Sequence, residues 1–404
     1  MPVRLDQVPA QAPRPAQPRA WLWIGLLPVM LMVGTGLALL FSPVPLHQQP
    51  HDFWALALGV PLAGWCVLSF GKVLLYMGQQ SAADGWDEAR EKDLARKTRR
   101  GRRSQQVLGV SLYTALRKPG DQPAAQLDAL LNGTVALEAR SAGEDAAPQR
   151  YSQLPGERED PEHLLLDVLT QVLGDLAQTL APLPDNAALA LLLEVESGLS
   201  ESDLRRVWRK AWSLSGIRQS ASPVEGRGLV AVDHWLDQRI DDQALLMVVA
   251  VHFAPDVPDG TTEVAVGLLF GNRLTQSVLP PIAYLHRPEQ DRKSTREGLL
   301  CAARQALAWT PQPAQPVEQV WRTGIDAQRQ ADLAAVLADV SLPAETCNLD
   351  ELLGHPGPAS PWLAIAAAAQ TIERGAGSQF IFSGGDVADG LWSTVLIPVS
   401  SLSK

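Results

Sequence analysis

Residues 244 to 253, "ALLMVVAVHF", and residues 263 to 272, "EVAVGLLFGN", are two short, nearly continuous apolar runs joined by the turn-rich "APDVPDGTT". A strand with one wet face alternates apolar and polar residues. A strand buried on both faces reads as an unbroken run. The pair therefore predicts a sheet covered by helices on each side, an α/β layered body. The neighbouring stretches agree. "PEHLLLDVLTQVLGDLAQTLAPL" places Leu164, Val168, Val172 and Leu176 four apart on one helix face, and "AALALLLEVES" (187 to 197) is a further buried strand. "SESDLRRVWRKAWSLSG" (200 to 216) predicts a helix capped by Ser200 or Ser202, with Leu204, Val207, Trp208 and Trp212 turned inward. Downstream come the helix "STREGLLCAARQALAW", the strand "VEQVWRTG" (317 to 324), the helix "AQRQADLAAVLADV", a small-residue helix after His355, and the closing strands "SQFIFSGG" and "LWSTVLIPV". Residues 139 to 162 read as a long surface loop, and no array of short repeats stands out.

The front of the 404-residue chain has a different character. Residues 21 to 41, "WLWIGLLPVMLMVGTGLALLF", carry no charge and at about 1.5 Å per residue span a hydrocarbon layer of roughly 30 Å. Residues 53 to 77 form a second such run, with Lys72 as its only charge and near enough to its end to snorkel. Trp21, Trp23, Trp54 and Tyr76 sit near the run ends, as interfacial aromatics do. The expectation is a transmembrane helical hairpin over 21–77, preceded by a tail (1–20), followed by a basic juxtamembrane linker (78–103) and a body (104–404). Arg4, Arg14 and Arg19 precede the first span, the connector "SPVPLHQQPHD" has no Lys or Arg, and "REKDLARKTRRGRR" (90 to 103) has eight. Both termini and the body are therefore expected on the cytoplasmic side, with the hairpin and residues 90–103 meeting lipid.

Residues 1–103 carry 12 basic and 7 acidic side chains, about +5, and the body carries 22 and 37, about −15. An acidic body is repelled by nucleic acid and by an anionic leaflet, so the basic run speaks for topology and not for nucleic-acid binding. Cys66, Cys301 and Cys347 fit neither a metal cage nor a disulfide framework, and no cofactor motif is present.

The order of elements from about residue 187 onward resembles the thiolase and β-ketoacyl synthase superfamily. "VWRTGIDAQRQADL" is similar to its His-Gly-Thr-Gly-Thr loop and following helix. "LLGHPGPASPWLAIAAAAQTIERG" (352 to 375) is similar to its Lys-Ser-x-x-Gly-His segment, whose small-residue helix packs beneath the active site. The resemblance implies a thiolase-like body. It also sets a test, because decarboxylative condensation needs a cysteine thiolate and groups that stabilise developing negative charge. The nucleophile is expected within "IRQSASPVEGRGLVAVDHWLDQRIDDQ" (217 to 243), which has no Cys. Trp321-Arg322 stands at the first histidine, and Asp350 at the lysine five residues before the second. His355 alone matches. It reads as a remnant that caps a helix or satisfies a core hydrogen bond, and no catalytic residue is assigned.

Other candidates read as structure. Ser383-Gly384-Gly385-Asp386 is a hairpin turn, and Asp233, His234 and Asp237 form the polar face of a helix. His47 and His51, four apart, could share a metal only on a helix that Pro43, Pro45 and Pro50 oppose. A fold without its catalytic set is kept for what it binds. The expected function is a non-enzymatic, membrane-anchored adaptor at a bacterial inner membrane, whose partner is a protein or a second thiolase-like subunit in a homo- or heterodimer. The layout resembles accessory proteins of type VI secretion, which implies the loading of effectors. The alternatives are an acyl-binding or acyl-transfer protein and a structural subunit of a membrane complex.

Overall fold

In the computed structural model, the described residues are 3–5, 7–41, 50–118, 121, 125–140, 149–311, 316–343, 346–384 and 390–399. They form two compact units, residues 4–97 and residues 98–404 together with 1–3.

The first unit is a helical hairpin. Helix α1 (Ala20–Leu40) and the front of α2 (His51–Gly101) are each long and apolar enough to cross a membrane. They run antiparallel: Trp65 Nε1 donates to Trp23 O (2.8 Å), and Gly34 lies against Pro61, where a Cβ would not fit. Small residues at such a contact let two helices approach closely. The tail continues the pairing. Trp86 Nε1 donates to Ala10 O (3.2 Å), Arg90 Nε to Pro9 O (2.7 Å), and Arg14 pairs with Asp87 (2.9 Å).

Helix α2 continues without a break to Gly101, so the polar helix that the sequence suggests over 78–97 is the continuation of the second apolar helix. Most of its basic residues already have protein partners. Lys92 is paired with Glu88, Arg96 and Lys97 with Asp93, and Arg100 with Asp237, while Arg103 Nη1 donates to Leu236 O. The last two contacts lie within the second unit, which includes Thr98 onward.

That second unit is built twice from one pattern. From the middle outward, its first half orders strands β1 (Ser104–Tyr113), β7 (Val264–Asn272), β6 (Leu245–Phe253), β4 (Leu189–Ser197) and β5 (Ala221–Pro223). The second half orders β8 (Ala283–His286), β13 (Leu391–Pro398), β12 (Ser378–Gly384), β10 (Val317–Thr323) and β11 (Thr346–Asn348), with β9 (Glu289–Gln290) also on β13. In both halves the first two steps are antiparallel and the last two parallel. β1 pairs with β8 and joins the halves. It lies in a stretch, 104–186, where the sequence patterns carry little of the resemblance. A minor hairpin, β2 (Glu138–Arg140) with β3 (Gln149–Tyr151), stands where a plain loop is expected. Past it, Arg158 pairs with the buried Glu263 (2.7 Å), fixing this segment to the sheet.

Three apolar clusters define five layers. Helices α4 (Pro161–Leu180) and α5 (Glu201–Leu214) cover the outer face of the first half. α7 (Arg296–Ala308) and α8 (Ala327–Asp339) cover that of the second. Between the inner faces lie α6 (Gly228–Gln238) and α10 (Ser360–Glu373). Every residue from Ser360 to Ile372 is buried, which is why this helix is built of alanine. As expected, Leu164, Val168, Val172 and Leu176 are buried, and every residue of β6 and β7 is buried. On α5, Ser200 is the cap, accepting from Asp203 N (3.2 Å). Only Val207 and Ala211 of that helix are fully buried, and Leu204, Trp208 and Trp212 are half-buried at its flank.

One expectation about α6 is overturned. Asp233 is buried and Asp237 is nearly so, whereas His234 is exposed. The two carboxylates hold the fully buried Arg287, whose Nε donates to Asp233 (2.7 Å), whose Nη2 reaches Asp237 (2.5 Å) and whose Nη1 donates to Arg100 O (2.9 Å). Period alone places these acids on a polar face. The guanidinium that draws them inward is some fifty residues away in sequence and leaves no local signal.

Candidate functional site

The inner layer brings together the segments that the resemblance singled out. Gly226-Arg227-Gly228 opens α6, Gly324-Ile325 follows β10, Gly384 ends β12, and the His355 turn leads into α10. Here Gly384 and Gly324 touch backbone to backbone, and a Cβ on Gly384 would overlap Gly324 O. A cavity of about 410 Å³ lies beside them, walled by Glu194, Arg227, Pro358, Pro361 and Trp392 among others.

Arg227, the N-cap residue of α6, makes no side-chain cap. Glu194, reaching in from β4, takes that place: its carboxylate accepts from Gly228 N and from Trp362 Nε1 of α10 (2.9 Å). It thus occupies the positive end of one central helix and ties it to the other. Burial pushes this carboxyl up from its ordinary range, against the two hydrogen bonds. Sequence reasoning passes over Glu194. The signal available was a carboxylate directly after the apolar run Leu189–Leu193, at the same inward parity as Ala190 and Leu192.

Asp350, at the lysine position of the family pattern, accepts from Gly324 N (2.9 Å), Ile325 N (3.1 Å) and Thr323 Oγ1 (3.2 Å). Burial raises its pKa. A carboxylate so engaged fixes the loop after β10 and offers no positive charge to an oxyanion. Trp321 is fully buried, with Nε1 donating to Gln379 Oε1 (2.9 Å).

His355 is half-buried. Its N–H donates to Gly260 O (2.8 Å), its carbonyl accepts from Thr262 N (3.0 Å), and its Nδ1 accepts from Gly357 N (3.0 Å). An accepting Nδ1 belongs to an imidazole with its proton on Nε2. Gly357 has φ +54, and a Cβ there would meet Glu196 Oε2 and His252 Cδ2, each at 2.8 Å. The histidine side chain thus organises the turn that feeds α10.

The three cysteines are dispersed. Cys66 and Cys301 are exposed, and Cys347 on β11 has its thiol pushed up to about 12 by burial. Among the described residues, no Cys, Ser, His or Lys lines the cavity, and no group of three or more His, Cys, Asp or Glu could hold a metal. Ser383 and Gly384 close β12, whereas Gly385, Asp386 and His47 lie outside the described residues; His51 begins α2.

No family profile and no curated protein matches the sequence. Solved structures do match. The ishigamide ketosynthase/chain length factor aligns over 73% of this chain and 99% of its own, at 15% identity and a TM-score of 0.51. OleA of Xanthomonas campestris covers the same shares at 12% identity and a TM-score of 0.43. For 3-oxoacyl-[acyl-carrier-protein] synthase III of Aquifex aeolicus the identity is 10% and the TM-score 0.41. The chain has a thiolase/ketosynthase-like fold. At this level of identity the likeness speaks for the fold alone.

Proposed function

We propose that this chain is a non-enzymatic adaptor, anchored in a bacterial inner membrane by its hairpin, whose thiolase-like body binds protein partners on the cytoplasmic side. The observation that carries the reading is Glu194. A carboxylate sits at the α6 N-terminus, and among the described residues the cavity beside it is lined by no Cys, Ser, His or Lys, its one cation being Arg227. His355 and Asp350 are engaged by backbone groups. Two contacts support the topology. The tail at 9–14 lies along residues 84–90 beyond the second apolar stretch, and Val3 O accepts from Gln305 of the body (2.5 Å). Loading of type VI secretion effectors rests on layout alone, and none of the comparisons supports it. The cavity itself favours a second reading, acyl binding without turnover.

Cross-linking mass spectrometry on native membranes tests the adaptor. Links are expected from body lysines such as Lys210 and Lys293 to a soluble protein. Links confined to residues 20–97 would transfer the function to the hairpin and support a structural subunit instead.

A further inference from the structure

Helix α5 is a basic strip on an acidic body. Arg205 pairs with Glu201, and Arg206 with Glu162 and Asp203 (2.9 Å to the latter). The exposed Arg209 and Lys210 make no ion pair among the described residues, although the body as a whole is about −15. Beside them Trp208 and Trp212, half-buried, pack with tilted rings whose centroids are 5.7 Å apart, and with Leu191, Arg209 and Ala221 line a cleft of about 260 Å³. That volume falls below the usual range for a small-molecule site and suits one large apolar side chain.

We propose that this cleft docks an acidic protein segment, which inserts an apolar side chain against Trp208 and Trp212 and sets its carboxylates on Arg209 and Lys210. The inference rests on the adaptor reading and gives its partner a chemistry. Charge complementarity selects the occupant: Arg209, whose Nε donates only to Arg205 O (3.2 Å) among the described residues, and Lys210 are cations without an ion pair there and attract a local acidic stretch. A second copy fits poorly, since it would bring the same net-negative body and the same free cations against themselves. Nor does the sheet edge beside the cleft invite strand pairing. β5 is three residues long, and because Val224 N–H points inward to Leu191 O (2.8 Å), the outward position falls on Pro223, which has no N–H.

The test is fluorescence anisotropy of a labelled heptapeptide alternating glutamate with leucine and phenylalanine, titrated with the full chain in nonionic detergent. The expected result is saturable binding that Arg209→Glu/Lys210→Glu weakens at least about tenfold, with an unchanged melting temperature because both side chains are exposed. Trp212→Phe, which keeps a ring in the cleft, should weaken it by only a few fold, and a lysine-for-glutamate control peptide should not bind. Equal affinity in the charge-reversed variant, or equal binding of the lysine peptide, overturns the proposal. So does a flat titration alongside charge-sensitive binding to vesicles containing phosphatidylserine, or a dimer that the same reversal dissociates. The two readings fail separately: turnover of an acyl thioester would remove the adaptor and leave the titration standing, whereas body cross-links mapping away from α5 would remove only this surface.

Discussion

Replacing Arg287 by methionine should be among the most destabilising single changes in the body. The guanidinium is fully buried and uses three edges, on Asp233, on Asp237 and on the carbonyl of Arg100 near the end of α2. Burial works against the Asp237 carboxylate, yet hydrogen bonds from Arg100 and Arg287 hold it down to about 2 from 3.8. At about 1.4 kcal/mol per unit, that shift corresponds to about 2.5 kcal/mol of stability at neutral pH, shared among its partners. Methionine forfeits the Arg287 share and takes the arginine away from the buried Asp233 carboxylate, so the expected loss is about 3 to 5 kcal/mol. In a unit of this size that lowers the melting temperature by roughly 5 to 15 °C. Arg287→Lys keeps the charge but not the fork and should fall between. Adding Asp233→Asn to Arg287→Met should restore part of the loss, since it removes a buried carboxylate that has lost its arginine. The sign with pH is fixed. A depressed carboxyl stabilises the fold above 3.8, and that contribution is lost as pH falls toward 2, so wild type and variant should converge in acid. Near-UV circular dichroism melts of the detergent-solubilised full chain read all four proteins. A loss below about 1 kcal/mol for Arg287→Met, or no recovery in the double variant, would refute the reasoning.

Three further outcomes are expected. His355→Ala removes one side-chain acceptor and should cost about 0.5 to 1.5 kcal/mol while leaving biological activity in place, which complementation of a deletion strain would measure. Reporter fusions at Gln80 should behave as cytoplasmic and those in the connector near His47 as external; alkaline phosphatase activity at Gln80 would reverse the topology. Glu289, pushed up to about 7 by burial, stays neutral in the fold below that pH and is charged and destabilising above it. Glu289→Gln, which keeps an acceptor for Trp309 Nε1, should therefore match wild type near pH 4 and exceed its stability above pH 7 by on the order of 3 kcal/mol. A difference that does not change with pH would contradict the buried charge.

What was legible in the sequence was what period and composition encode locally. Unbroken apolar runs marked β6 and β7, four-residue spacing marked α4, and an alanine-rich stretch marked the helix held between two sheets. Strand β1 escaped because "SQQVLGVSLY" buries glutamines and serines that an apolar-run search rejects. Its central place depends on partners far along the chain, Asn272 and His286 among them. The candidate site divides the same way. His355 and Asp350 stand within one motif and could be compared position by position. Glu194 reaches α6 and Trp362 across 34 and 168 residues, and Asp233 finds Arg287 across 54, contacts that only the folded layers create. The doubled strand order was hidden for the same reason, because topology repeats here without a repeated sequence.

The central claim is that a thiolase-like fold here carries no acyl chemistry. Intact-mass spectrometry of the full chain after incubation with acetyl- and malonyl-thioesters, with thiol release and decarboxylation followed in the same samples, tests it most directly. The account predicts an unchanged protein mass and thioester loss no faster than in buffer. A stable adduct of one acyl group, or decarboxylation that stops in His355→Ala, would contradict it and make this chain an enzyme.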